Sequence, residues 1–184
     1  MPVTTLDPRT ALVLIDLQQG ITALPTVHPA EEIVARGARL ATAFRAHDLP
    51  VVLVRVTGPG SPGRNELPPR QGEPPAGFAE LRPELGRQDG DIVVTKQTWG
   101  AFHATDLDLQ LRRRGVTQIV LAGIATSIGV ESTARAAHEH GYHVTVAADA
   151  VTDLDPETHR VSLTRILPRL AETGTTDAII ALLG

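Results

Sequence analysis

Short, continuous runs of apolar residues alternate along the chain with longer stretches in which apolar residues recur at helical spacing. The apolar runs cover residues 11–15, 51–54, 92–94, 119–122 and 144–146, and a short sixth strand is expected near Thr175. The helical stretches cover residues 30–47, 127–140, 156–170 and 178–183, with a further helix beginning at Leu107. Strands that are apolar on both faces are typical of parallel sheets, which carry helices on each side. The pattern therefore predicts one α/β domain over residues 1–184, with a parallel sheet between two layers of helices.

Composition excludes several kinds of site and partner. The sequence contains no cysteine, so it forms no disulfide, thiolate metal site or cysteine nucleophile. The net charge of −4 provides no basic surface for nucleic acid or an anionic membrane, and neither is expected as a partner. No apolar run approaches the roughly 20 residues that a membrane helix needs. No secretory signal follows Met1, so we expect a cytoplasmic protein.

Charged residues follow two of the predicted strands. Asp16 comes directly after the first apolar run, and Lys96 follows the third. Because ligands bind outside the carboxyl ends of parallel strands, we expect these residues to meet in one crevice, as the ends of neighbouring strands. A carboxylate beside an ammonium keeps its charge, and either group transfers protons once water is excluded. A structural ion pair at the sheet edge is the alternative interpretation.

A turn of small residues, 123–129, connects the fourth predicted strand to the next helix. Such a turn points backbone N–H groups at a ligand, and the helix dipole favours negative charge there. The alternative is an ordinary helix start with Thr126 or Ser127 as N-cap.

An irregular stretch over residues 58–75 holds six of the 14 prolines. Long loops of this kind are typical of functional or interface segments, and a solvated surface loop is the alternative. Residues 58–63 match the glycine fingerprint of dinucleotide-binding sites, but prolines stand where a helix would have to begin. We therefore expect no nucleotide cofactor.

Three motifs resemble those of the isochorismatase-like hydrolase family, in the same order and over nearly the whole chain. They are ALVLIDLQ at 11–18, TK at 95–96 with FHATDL at 102–107, and GIAT at 123–126 with VESTAR at 130–135. The resemblance implies a Rossmann-like, three-layer α/β/α fold with a six-stranded parallel sheet. It also implies a homodimer or larger homo-oligomer, for which the small residues Ala134, Ala136 and Ala137 would allow close helix packing.

The resemblance also assigns roles to individual residues. Most members of the family hydrolyse amides with an aspartate, a lysine and a cysteine. Asp16 and Lys96 match the first two, whereas Gly129 occupies the position of the nucleophile. A cis peptide is implied between Ile124 and Ala125, with an oxyanion hole formed by the amides of Ala125 and Gly129. The residues expected to line the substrate pocket are Gln18, Thr57, Trp99, Phe102, Thr126 and Ser127.

Glycine at position 129 excludes covalent thiol catalysis, and Ser127 lies two residues too early to replace it. True isochorismatases also carry glycine there, and they hydrolyse a vinyl ether. An acid protonates the enol-ether carbon, and water captures the resulting cation. In that chemistry Asp16 would donate the proton. Lys96 would stabilise the charge state of Asp16 and bind a substrate carboxylate. Residues 55–58 lack the glutamine that those enzymes place after strand two, and the histidine-rich zinc motif of nicotinamidases is also missing.

These features predict a metal-free and cofactor-free hydrolase of a small anionic molecule, acting through Asp16 and Lys96. The alternative is a catalytically silent member of the family that binds a ligand or supports an assembly, which the loss of the thiol would permit. The presence of both charged residues argues against that alternative, because a buried ion pair is costly to keep without a function.

Overall fold

The computed structural model describes residues 2–58, 66 and 73–184. Its strands are β1 (Thr10–Ile15), β2 (Val51–Val56), β3 (Ile92–Lys96), β4 (Gln118–Ile124), β5 (His143–Thr152) and β6 (Glu172–Gly174). They form one sheet in the order β3-β2-β1-β4-β5-β6, and every neighbouring pair is parallel. The predicted six-stranded parallel sheet is therefore confirmed.

The helices alternate with these strands. They are α1 (Gln19–Thr22), α2 (Ala30–Ala46), α3 (Leu107–Arg113), α4 (Glu131–Glu139), α5 (Pro156–Val161) and α6 (Thr176–Ala181). A wide π-helical turn over Thr126–Val130 precedes α4. The single helix predicted over residues 156–170 is wrong in detail, because α5 continues into a π-helical turn and then a 3₁₀ turn that contains Pro168.

Side chains of the central strand alternate between two apolar clusters, one on each face of the sheet. Ala11, Val13 and Ile15 of β1 pack on the face covered by α3 and α4. Leu12 and Leu14 pack on the opposite face, which α2 and α6 cover. This arrangement confirms the three-layer α/β/α fold.

The small residues of α4 face the interior of this chain. Ala134 and Ala137 are fully buried against the sheet, and Ala136 packs beside them. Ala134 and Ala137 are therefore not available for contact with a second subunit, whereas Ala136 is only partly buried. The homo-oligomer remains a prediction that rests on the family resemblance.

The strand order creates a crevice at the carboxyl edge of the sheet. The chain proceeds outward from β1 to β2 and β3, and then returns to place β4 on the other side of β1. In sheets of this kind, the point where the order reverses is where ligands bind. The segments that follow β1 and β4 meet at this point.

The fifth strand is longer than the apolar run predicted at 144–146, because β5 extends to Thr152 and includes Asp149. Most of the 58–75 stretch, including the glycine fingerprint at 58–63, lies outside the described residues. Within the ranges that are described, no helix is long and apolar enough to cross a membrane.

Candidate active site

Asp16 and Lys96 meet at the carboxyl edge of the sheet. The Lys96 Nζ atom lies 2.7 Å from Asp16 Oδ2, within the expected range for an ion pair. Both residues are buried, with 5% and 3% of their surface exposed. They do not end neighbouring strands as expected, because β2 lies between β1 and β3. The lysine side chain therefore spans the end of β2, which a shorter cation could not do.

The backbone at Asp16 turns sharply out of β1. Asp16 has φ of 53°, a left-handed conformation that is uncommon outside glycine. Its N–H still donates to the Val54 carbonyl of β2, while its own carbonyl accepts from Gln18 N–H. The chain direction thus changes at Asp16 itself, and the carboxyl group stays over the end of the sheet.

The ammonium of Lys96 is fully engaged by the protein. Besides Asp16, it donates to the carbonyl oxygens of Thr98 at 3.1 Å and Trp99 at 3.0 Å. An ammonium has three N–H donors, so none is left for a ligand. To hold a substrate carboxylate as well, Lys96 would have to give up one of these bonds, and that role stays a prediction.

The Asp16 carboxyl has one engaged oxygen and one free oxygen. Oδ2 accepts from Lys96, whereas the buried Oδ1 has no hydrogen-bond partner in the part of the chain that the structure describes. Burial raises the pKa of Asp16 from 3.8 to about 6, although the Lys96 ammonium lowers it. Near neutral pH this group both gives and accepts a proton readily.

The turn after β4 faces this carboxyl group. The Ile124–Ala125 peptide bond is cis, at the position that the resemblance implies. A Cβ atom at Gly129 would lie 3.4 Å from Asp16 Oδ2, so position 129 looks directly onto the carboxylate. The Ala125 N–H finds no backbone acceptor among the described residues. These groups therefore lie close to the Asp16 carboxyl at the switch point of the sheet.

Gln18 is fully buried, and its side-chain amide donates to the carbonyls of Val56 and Phe78 and accepts from Val56 N–H. These bonds hold the end of β2 and the segment at residue 78 in place. The role of Gln18 in substrate binding stays a prediction.

Phe102 and Thr126 are also occupied by structural contacts. The Phe102 ring is 8% exposed and stacks on His140, with a centroid distance of 5.1 Å. Thr126 is fully buried, and its Oγ1 lies 2.8 Å from His159 Nδ1. Neither side chain faces the open side of the site, contrary to prediction.

Three predicted pocket residues are accessible. Thr57 and Ser127 are half-buried, and Trp99 is 64% exposed. The Ser127 N–H donates to Asp153 Oδ2 at 2.7 Å, which fixes the first turn of the segment leading to Gly129. The N-cap alternative, with Thr126 or Ser127 as the capping side chain, is not observed.

The sequence pattern predicted no functional role for three residues that support the site, Asp153, His159 and Thr133. Asp153 and His159 hold the glycine turn from outside, through Ser127 and Thr126. Thr133 lies four residues after Gly129, and its hydroxyl donates to the Gly129 carbonyl. The four-residue spacing within a helix was the only available signal, since threonine hydroxyls commonly bond the carbonyl one turn back.

The described residues hold no group of three or more histidine, aspartate or glutamate side chains suited to a metal ion.

Comparison with known proteins gives a consistent picture. The sequence pattern of the isochorismatase domain matches residues 10–178. The uncharacterized isochorismatase family protein YwoC of Bacillus subtilis is 44% identical over 180 residues, covering 94% of this chain and 93% of that protein. The ureidoacrylate amidohydrolase RutB of Methylobacterium radiotolerans is 35% identical, covering 88% and 74%. The structure of an isochorismatase family protein from Burkholderia thailandensis superposes with a TM-score of 0.93 at 46% identity, covering 97% of each chain.

Proposed function

Because the chain belongs to the isochorismatase family, we propose that it is a hydrolase of a small molecule and that Asp16 transfers the proton without a covalent thiol intermediate. One observation carries this proposal. Asp16 is buried against Lys96, yet its Oδ1 atom has no partner among the described residues. A buried, unpaired carboxylate oxygen costs free energy, and such costs are retained at sites where a ligand supplies the missing partner.

The two carboxyl oxygens of Asp16 have different roles in this proposal. Lys96 holds Oδ2 and stabilises the carboxylate whenever the proton is absent. Oδ1 is then the oxygen that exchanges a proton with substrate or water. With a pKa of about 6, the group is partly protonated at neutral pH and serves as acid or base.

Two bond types are consistent with this chemistry. In a C–N bond of an amide or ureide, Asp16 takes a proton from the attacking water and returns it to the leaving nitrogen. The Ala125 N–H would then stabilise negative charge on the carbonyl oxygen. In an enol ether, Asp16 protonates carbon, and water adds to the resulting cation while returning a proton to Asp16. The hemiketal formed in this way then collapses, so that the C–O bond breaks to give a carbonyl compound and the free alcohol. The amidohydrolase name of the RutB relative makes the C–N bond the first class to test.

The predicted anionic character of the substrate loses its main support, since the Lys96 donors are all taken by the protein. Amides and carbamates should therefore be tested in neutral as well as anionic forms.

The deciding experiment combines a thermal-shift screen with product analysis. Amides, carbamates and chorismate-type enol ethers are offered to the native protein and to Asp16→Asn, with and without a chelator and a thiol-alkylating reagent. We expect neither the chelator nor the alkylating reagent to change the turnover rate. The rate should fall by about 10²–10⁴-fold in Asp16→Asn. Undiminished turnover by Asp16→Asn would show that this carboxyl group is not the proton-transfer group.

A silent, ligand-binding protein is the second candidate. It is favoured by Gly129, which places no nucleophilic side chain where most members of the family carry cysteine. A compound that raises the melting temperature of the native protein but is recovered unchanged would support this second function over hydrolysis.

A further inference from the structure

A single buried hydroxyl connects two segments of the candidate site. Thr133 lies on α4 and is fully buried. Its Oγ1 accepts a hydrogen bond from Ala101 N–H at 3.1 Å and donates to the Gly129 carbonyl at 2.7 Å. The bond to Gly129 alone would be ordinary, because it runs one helical turn back. The bond to Ala101 crosses to a segment more than 30 residues away.

That segment is the loop that holds Lys96. It begins directly after β3, and the carbonyls of Thr98 and Trp99 bind the Lys96 ammonium. Gly100 packs so closely on α4 that a Cβ atom there would lie 3.4 Å from Ser132. Ala101 ends the loop at Thr133. The loop is thus held at one end by its strand, and at the other end by the Thr133 hydroxyl together with the packing of Gly100 and Ala101.

The contacts close a ring around the site. Asp16 binds Lys96, whose ammonium is held by the loop, and Ala101 of that loop binds Thr133. Thr133 in turn binds Gly129, where an added Cβ atom would lie 3.4 Å from Asp16 Oδ2. In these contacts Asp16, Lys96 and Thr133 take part through their side chains, whereas the other residues take part through backbone groups.

We propose that Thr133 is a positioning residue whose hydroxyl fixes the Lys96 loop against the Gly129 turn and thereby places the ammonium at Asp16. The catalytic meaning of this role rests on the proposed hydrolase function. The positioning itself does not, and it is measurable without any substrate.

The physical consequence of losing the hydroxyl follows from its two bonds. Valine has nearly the shape of threonine but leaves Ala101 N–H and the Gly129 carbonyl without this partner. The loop then relaxes away from α4, and the ammonium moves with the carbonyls that hold it. Since a cation at this distance lowers a carboxyl pKa by about 1–3 units, its displacement raises the pKa of Asp16.

The experiment compares Thr133→Val and Thr133→Ser with the native protein. Asp16 is titrated through the infrared carboxyl band that Asp16→Asn removes. The loop is followed by fluorescence, because Trp99 is the only tryptophan of the chain. Thr145→Val is the control, since Thr145 is equally buried but accepts its bond from Gln118 at the opposite edge of the sheet.

We expect Thr133→Val to raise the titration midpoint of Asp16 by about 1 unit and to shift the Trp99 emission, with Thr133→Ser restoring both. Thr145→Val should change neither. Native titration and emission in a folded Thr133→Val protein would overturn the proposal, as would equal changes in the Thr145→Val control.

Hydrogen exchange provides a test if Thr133→Val fails to fold. In the native protein and in Thr133→Ser, the Ala101 amide should exchange as slowly as the amides of α4. Rapid exchange at Ala101 in the native protein would overturn the proposal. A protein that hydrolyses nothing but shows these titration, emission and exchange results would retain the positioning role while the hydrolase function fails.

Discussion

Gly129 and Ile15 are packed so tightly that no side chain fits between them without movement. A Cβ atom built on Gly129 would lie 2.9 Å from Cγ2 of Ile15, closer than carbon atoms ordinarily approach. Ile15 is fully buried in the centre of the sheet and is β-branched, so its side chain has little freedom to turn away. The structure around position 129 is therefore fitted to glycine.

This packing predicts the effect of Gly129→Ala. The added methyl group should lower the free energy of unfolding by about 1–2 kcal/mol, because overpacking outweighs the gain in helix propensity. Gly90→Ala is the control, since nothing lies within 4 Å of a Cβ atom there. Urea unfolding of both variants measures the difference. An equally stable Gly129→Ala protein would mean that Ile15 moves freely.

Gly129→Cys should create a reactive thiol. Its Cβ atom would lie 3.4 Å from Asp16 Oδ2, so the carboxylate can accept the thiol proton once Ile15 shifts. We expect faster alkylation by iodoacetamide at pH 7 than in Gly90→Cys, where nothing beyond the adjoining residues lies within 4 Å of a Cβ atom. Mass spectrometry reports each label without ambiguity, because the native chain has no cysteine. Slower labelling than in Gly90→Cys would contradict the prediction that the thiol at position 129 is accessible and activated by Asp16.

The raised pKa of Asp16 predicts a specific dependence of stability on pH. The folded protein holds this proton up to about pH 6, whereas the unfolded chain releases it near 3.8. The resulting stabilisation is complete below about pH 4 and is lost as the pH rises through 6. Relative to Asp16→Asn, the native protein should lose about 2 kcal/mol between pH 4 and 7. Urea unfolding of both proteins across this pH range measures the difference in their free energies of unfolding. If the native protein became more stable relative to Asp16→Asn as the pH rises, the prediction would be contradicted.

Removal of the cation should be far more costly at high pH than at low pH. Lys96→Met leaves the Asp16 carboxylate unpaired and buried, which typically costs about 3–5 kcal/mol. We expect that loss at pH 8 and a smaller one at pH 5, where Asp16 is protonated. Arg39→Met is the control, because its partner Asp177 is 78% exposed and such pairs contribute about 1 kcal/mol or less. Equal losses at pH 5 and pH 8 would argue against ionised Asp16 as the cause.

Local patterns in the sequence were sufficient for the strands and for the ion pair. Every apolar run is buried on both faces except that of the edge strand β3, where Val93 is half-buried. A charged residue just after such a run must lie at the carboxyl edge of a parallel sheet, which predicts the place of Asp16 and Lys96. The motif at 123–135 placed Gly129 beside them, because a turn that opens a helix after β4 reaches the same edge.

Other features were decided only by the tertiary structure. The position of β2 between β1 and β3, the capture of the Lys96 donors by two carbonyls, and the burial of the Gln18 amide all arise where distant segments meet. Thr133 belongs to the same class, since its bond to Ala101 joins residues 32 positions apart. Apolar periodicity specifies which face of an element is buried, but not which polar group of another segment will lie against it. The sequence by itself thus determined the elements and the charged residues at their ends, whereas the packing of loops onto those ends decided which donors and acceptors remain for a ligand.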